Sequence, residues 1–229
     1  MSIRKHFDEQ LRELNEHILK MASETENSIS TTIKVLTTKD ISKVQDIIDG
    51  DALIDKLERQ IERNCLKLLL QQQPVAKDLR NISSALKIIT DLERIGDQSA
   101  DIGNTILNLN LENNSIEDTL LDNIVYDIQL MASSSARMVQ ESINSYSEHD
   151  IKKAETVIEA DDCIDDYFLQ IRNKIINYIS TSKDLNASEF AIDLFAISKY
   201  LEKIGDHAVN ICEWVIFDVT GIHKHEKII

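Results

Sequence analysis

Proline occurs once and glycine five times in 229 residues, where average usage would give about eleven and about sixteen. A chain so poor in turn formers cannot supply the many tight reversals of an all-β protein. The short, evenly spaced strands of a sandwich or barrel are missing too. Cysteine is scarce: Cys65, Cys163 and Cys212 are odd in number and share no CxxC spacing. That gives neither a disulfide frame nor a thiolate metal site, and it fits a reducing cytoplasm. Basic charge is short as well, with 25 Lys and Arg against 40 Asp and Glu, a net charge of −15. Nucleic-acid binders need clustered Lys and Arg to displace phosphate counterions, so the balance argues against DNA, RNA and anionic membrane surfaces. Cations and basic partner surfaces remain. No run approaches the ~18 apolar residues of a membrane span. The opening Met1-Ser2-Ile3-Arg4-Lys5-His6 leads into an amphipathic segment rather than a signal-peptide apolar stretch.

What the sequence does contain is helical periodicity. Apolar residues make up 42 % of the chain and recur at helical spacing through nearly all of it. The breaks are few and regularly placed. Asp40 is a plausible N-cap after Thr37-Thr38-Lys39, and Pro74 suits the first turn of a new helix. Ser115-x-x-Asp118 resembles a capping box, Ser147-x-x-Asp150 marks a fourth break, and Asn186-x-x-Glu189 a fifth. Six helices of about 30 residues result, with short loops that imply antiparallel neighbours.

The chain also repeats itself. Asp91-Leu92-Glu93-Arg94-Ile95-Gly96-Asp97 aligns with Tyr200-Leu201-Glu202-Lys203-Ile204-Gly205-Asp206 at an offset of 109 residues. Upstream, the segment from Ile48 to Asp55 aligns with that from Ile158 to Asp165 at an offset of 110. The expected fold is therefore all-α, two tandem three-helix bundles spanning residues 1–114 and 115–229.

Each copy carries two acidic pairs. The third helix has Glu93/Asp97 or Glu202/Asp206, and the second has Asp51/Asp55 or Asp161/Asp165. Residues four apart share a helix face, and like charges there cost a few tenths of a kcal/mol. Counted from the intervening turns, near residues 72 and 183, both pairs of each copy lie about 20 residues away. In antiparallel helices they meet at nearly the same height. Converging carboxylates suit a hard or borderline cation: Mg, Mn, Fe or Zn. The alternative is an ordinary solvated face, because the seam Ile88, Leu92, Ile95, Ile102, Ile106 and Leu109 puts Glu93 and Asp97 almost opposite to it. A cation held there would sit in a shallow, surface-facing site.

Gly96 and Gly205 fall mid-helix, where glycine costs about 1 kcal/mol relative to alanine. They serve either close helix packing or a gap through which a ligand approaches the backbone. His207 follows Asp206 and either extends the site or flanks it. His223 and His225 read as solvated tail residues, and Trp214 and Phe217 as packing residues. No Walker loop, GxSxG or HExxH occurs, and no histidine follows a glutamate by three residues. That removes the Glu-x-x-His pairs of ferritin-like di-iron enzymes. With no nucleophile–base pair in sight, the expectation is a protein that is not an enzyme. The other reading is a metal-storage protein or a carboxylate-bridged metal-dependent enzyme.

The same segments resemble the PhoU family of phosphate-uptake regulators. The likeness runs from His6-Phe7-Asp8-Glu9-Gln10-Leu11 through Ile54-Asp55-Lys56-Leu57-Glu58 to Gln72-Gln73-Pro74-Val75-Ala76-Lys77-Asp78-Leu79-Arg80. It continues through the Leu92-Glu93-Arg94-Ile95-Gly96-Asp97 motif to Leu201-Glu202-Lys203-Ile204-Gly205-Asp206-His207-Ala208-Val209-Asn210-Ile211, where Lys203 replaces the more usual arginine. The resemblance implies a cytoplasmic homodimer that couples the ATPase of the phosphate ABC transporter to a sensor histidine kinase and represses phosphate-starvation genes. It also implies iron or zinc clusters on Glu93/Asp97 and Glu202/Asp206, with Asp51/Asp55 and Asp161/Asp165 opposing them. Asp101 and Asn210, one turn further on, are possible extra ligands. Asn210 lacks the charge of Asp101, so the two sites are expected to differ in affinity.

Overall fold

A computed structural model describes residues 3–38, 40–71, 74–109, 119–224 and 226–227. Six long helices follow in chain order: α1 (Ile3–Thr38), α2 (Val44–Gln71), α3 (Ala76–Asn108), α4 (Thr119–Glu148), α5 (Ile151–Thr181) and α6 (Leu185–Thr220). Their starts follow local chemistry. Asp40 accepts from the Ser42 amide at 3.1 Å and caps the single 3₁₀ turn that leads into α2. Asp150 accepts from the Lys153 amide at 3.1 Å and caps α5. The cap of α6 is Asp184, two residues ahead of the expected Asn186, because its carboxylate reaches the amides of both Asn186 and Ala187. Pro74 lies just outside α3, where Val75 is the N-cap. Gly221 closes α6 in the left-handed region, φ 77°, with its amide on the Phe217 carbonyl at 2.8 Å.

Within each copy every helix packs on the other two, α1, α2 and α3 in the first and α4, α5 and α6 in the second. The two bundles join through α3 against α6, flanked by α1 against α4. One contiguous apolar core runs through all six helices, from Phe7 and Leu14 to Val215. The α3–α6 contact is antiparallel. Arg80 donates to the Asp218 carbonyl at 3.3 Å, and Asp91, eleven residues on, meets His207, eleven residues back, at 2.9 Å. The junction expected at residue 114 and the capping box from Ser115 to Asp118 lie outside the described residues.

The C-terminal tail differs from the expectation. Ile222–His223 (β1) pairs antiparallel with Glu226–Lys227 (β2) in a two-stranded hairpin. His223 is half-buried, edge-on to Trp214 with ring centroids 3.9 Å apart. The cause is the left-handed turn at Gly221, which folds the chain back along α6. His225 lies outside the described residues. Phe217 is buried, as a packing residue should be.

Candidate metal centre

The acidic pairs owe their positions to the register of two hairpins. In the first copy a side chain at Gly96 would meet Asp51 and Ile54, and one at Gly103 would meet Val44 and Ile47. Seven residues forward on α3 correspond to seven residues back on α2, so the helices run antiparallel in a fixed register. A Cβ on Gly96 would stand 3.2 Å from Asp51 Oδ1, and one on Gly205 would stand 3.1 Å from Asp161 Oδ1. Each glycine lets an aspartate of the neighbouring helix lie against its backbone. The same chemistry occurs twice, in matching positions.

That packing changes the setting of Glu93 and Asp97. Their side chains are only 19 % and 32 % exposed, so they do not stand on the fully solvated face that the apolar seam implied. Ala85, Gly96 and Gly103 are buried as well. This small-residue flank receives α2 and widens the buried arc of α3 until the acidic pair borders the α2–α3 groove.

In that groove one carboxylate oxygen from each of Asp51, Asp55 and Asp97 lies within 4.8 Å of the other two. Asp51 Oδ1 is buried and has no hydrogen-bond partner among the described residues. Burial, then the charges of Asp97, Asp55 and Asp101, push the Asp51 carboxyl up to about 6. Glu93 is raised by burial and by Asp97, with Arg94 opposing, and Asp101 by burial and Asp97. Glu58 is a neighbour that the sequence reading did not assign to the site; burial, with Glu62 and Asp55, raises it. Its place one turn beyond Asp55 was the available signal. Arg94 offsets part of the charge from outside, 3.2 Å from Asp97 Oδ2 and 3.5 Å from Glu93 Oε2, while Arg59 lies 3.3 Å from Asp55.

The second copy repeats the plan with closer counter-charges. Burial, then Asp165, Asp206, Asp162 and Glu202, raise Asp161 to about 6. Asp165 is raised by burial and by Glu202 and Asp206. Lys199 Nζ lies 2.6 Å from Glu202 Oε2, and Lys203 bridges Glu202 and Asp206. Asp161, Asp165 and Asp206 do not close to the spacing of their counterparts. Asn210 is engaged elsewhere: its amide donates to Asp91 Oδ1 at 3.3 Å. His207 faces the same carboxylate. Both belong to the joint between the bundles, with Asp91, a residue that sequence reasoning passed over.

An unsatisfied buried oxygen within an all-carboxylate donor set fits a hard or borderline cation. Asp51, Asp55 and Asp97 would hold it, with Glu93 and Asp101 alongside. In the second copy the matching set is Asp161, Asp165, Glu202 and Asp206.

The whole length of the chain has relatives among known proteins. The family model "PhoU domain" matches residues 18–106 and again 128–215. A phosphate-specific transport system accessory protein PhoU homolog from Clostridium acetobutylicum is 36 % identical over 95 % of this chain and 96 % of its own. A homologue from Thermotoga maritima is 31 % identical over 96 % and 92 %. The crystal structure of PhoU from Pseudomonas aeruginosa superposes with a TM-score of 0.86 at 29 % identity, covering 94 % of this chain and 99 % of that one. The phosphate transport system regulatory protein PhoU from Streptococcus pneumoniae gives 0.83 at 26 %, covering 97 % and 99 %. With both halves matched by one family model and nearly the whole length shared with these relatives, the chain belongs to the PhoU family.

Proposed function

We propose that this protein is a regulatory accessory factor of phosphate uptake, a non-enzymatic adaptor between the ATPase of a phosphate transporter and a sensor histidine kinase. The observation that carries the reading is the double PhoU match, borne by relatives named as accessory or regulatory proteins of phosphate transport. No helix among the described residues is long and apolar enough to cross a membrane, which suits a factor that works from the cytoplasm, as a homodimer, on membrane-bound partners. The charge of −15 draws basic surfaces, so binding to ATPase or kinase weakens as salt rises.

The acidic groove adds a cation to this role. Iron or zinc, or Mg or Mn, bound at Asp51, Asp55 and Asp97 supplies the positive charge that the converging carboxylates lack. The carboxylates orient toward the groove, and α2 and α3 are pinned together on an outer face that partners recognise. Disruption of the gene in its host tests the role: phosphate-starvation genes become expressed in phosphate-rich medium. Continued repression would reject it. A pull-down from phosphate-replete cells, with and without chelator, tests the metal. Loss of partner with chelator supports the reading, and metal ratios near zero, unchanged by Glu93→Ala with Glu202→Ala, reject it.

A further inference from the structure

The C-terminal tail seats two of its own side chains in a groove that they do not satisfy. Beyond the left-handed turn at Gly221, Ile222 and Lys224 drop between α5 and α6, while His223 between them turns to the Trp214 ring. The groove has an apolar floor of Ile158 and Ile216, both packed on the core. Its walls are acidic: Glu155 and Glu159 share one face of α5, and Glu213 stands on α6.

Lys224 is the one cation among the described residues that line this groove, and its Nζ lies 3.0 Å from Glu213 Oε2. Glu155 and Glu159 are exposed and form no ion pair among the described residues. Neighbouring lysines are committed elsewhere. Lys153 holds Glu148 at 3.1 Å, Lys152 lines the separate α4–α5 cavity, and Lys87 of α3 lies over the Trp214 ring. Three glutamates thus face one lysine. The fold does not demand that acidity, because the counterparts in the first copy are Gln45, Asp49 and Asn104, with Gln45 donating to Asp49 at 2.9 Å.

The tail is also a loose occupant. A cavity of about 380 Å³ stays open beside it, and Ile222 remains 41 % exposed. Lys224 stands at φ 46°, in the left-handed backbone region that favours glycine.

We infer that this α5–α6 groove is a docking site for an extended, basic segment of a protein partner, with an aliphatic side chain and, two residues on, a lysine or arginine, and that the tail is its tethered competitor. Charge complementarity selects this occupant. The surplus of acid repels nucleic acid and anionic membranes, which carry the same sign. Side chains two apart in an extended segment share a face, so the Ile222 and Lys224 positions fit one strand of such a partner. A second cation on that segment neutralises Glu155 and Glu159, which Lys224 leaves unpaired.

The test is fluorescence anisotropy of a labelled synthetic peptide copying residues 221–227, titrated with the full-length protein. The unaltered protein binds it weakly, because the tethered tail competes at high effective concentration, and binding weakens as salt rises. Lys224→Ala loosens the competitor and tightens peptide binding about 10-fold. Adding Glu155→Gln and Glu159→Gln to that variant removes the gain. A peptide carrying Lys224→Glu does not bind. Circular dichroism confirms that each variant is folded. Binding unmoved by Lys224→Ala, kept by the Glu155 and Glu159 substitutions or insensitive to salt overturns the inference, as does absence of binding to every variant. Dimers of the unaltered protein that dissociate in Lys224→Ala would give the groove to the tail of a second copy and also overturn it. Each of these failures leaves the phosphate role and the α2–α3 cation standing.

Discussion

Asp51 and Asp161 carry a cost that the fold accepts twice. Each is a carboxylate pressed against a glycine backbone, surrounded by others of its own charge, and each is raised to about 6 from an ordinary 3.8. The folded chain therefore binds these protons more tightly than the unfolded one. In chelator, lowering the pH from 7.5 toward 5.5 stabilises the protein through these groups, and the gain levels off near pH 4 as the unfolded carboxyls also protonate. Thermal melts at the two pH values check this; the difference shrinks in an Asp51→Asn, Asp161→Asn variant. Asp51→Asn alone raises the melting temperature of the metal-free protein by about 2–4 °C and removes the stabilisation that added metal gives. A lower melting temperature would show that the aspartate serves the apo fold instead. The acidic pairs, their spacing and their duplication were all legible in the sequence. The orphaned Asp51 oxygen was not, because it arises from how deeply one helix seats against another.

At the scale of the helix, glycine separates two opposite effects. Gly50 in α2 has open space where a Cβ would go, so Gly50→Ala gains about 0.5–1 kcal/mol of stability from helix propensity. Gly96 would place its Cβ 3.0 Å from Ile54 Cδ1 and 3.2 Å from Asp51 Oδ1, and Ile54 is fully buried. Gly96→Ala therefore destabilises by about 1 kcal/mol, the overpacking strain exceeding the propensity gain. Denaturant melts of the two variants should move in opposite directions. Asp40 caps as read; at the fourth break Ser147 stays inside α4 and Asp150 is the cap, so Asp150→Ala costs about 1 kcal/mol. The start of α6 shifted to Asp184 because its carboxylate, just ahead of the helix, reaches the free amides of Asn186 and Ala187, whereas Asn186 is already the second residue of the helix. The seam of α3 was read too narrowly. Apolar periodicity marks large side chains, and the Ala85–Gly96–Gly103 flank buries itself through smallness.

Across the whole molecule the two copies pack on each other through α3 and α6. Their core is contiguous, and polar contacts cross it: Ser135 donates to the Leu201 carbonyl within the second bundle, Gln129 to the Leu36 carbonyl between bundles, and Asp91 gathers His207 and Asn210 at the joint. A single thermal transition is expected, identical by circular dichroism and Trp214 fluorescence. Two separate transitions would show that the bundles unfold independently. His207→Ala leaves the buried Asp91 with Asn210 alone and costs about 1–3 kcal/mol. A cycle with Asp91→Ala should give a coupling above about 0.5 kcal/mol. Period, caps and duplication determine six helices in two matched triplets, since these depend on residues a few positions apart. Only the tertiary structure decided that Asn210 and His207 serve the joint and that one Asp51 oxygen is left without a partner in the groove. That assignment depends on which neighbour a helix face meets, and side chains of identical spacing diverge once α3 and α6 pack on each other.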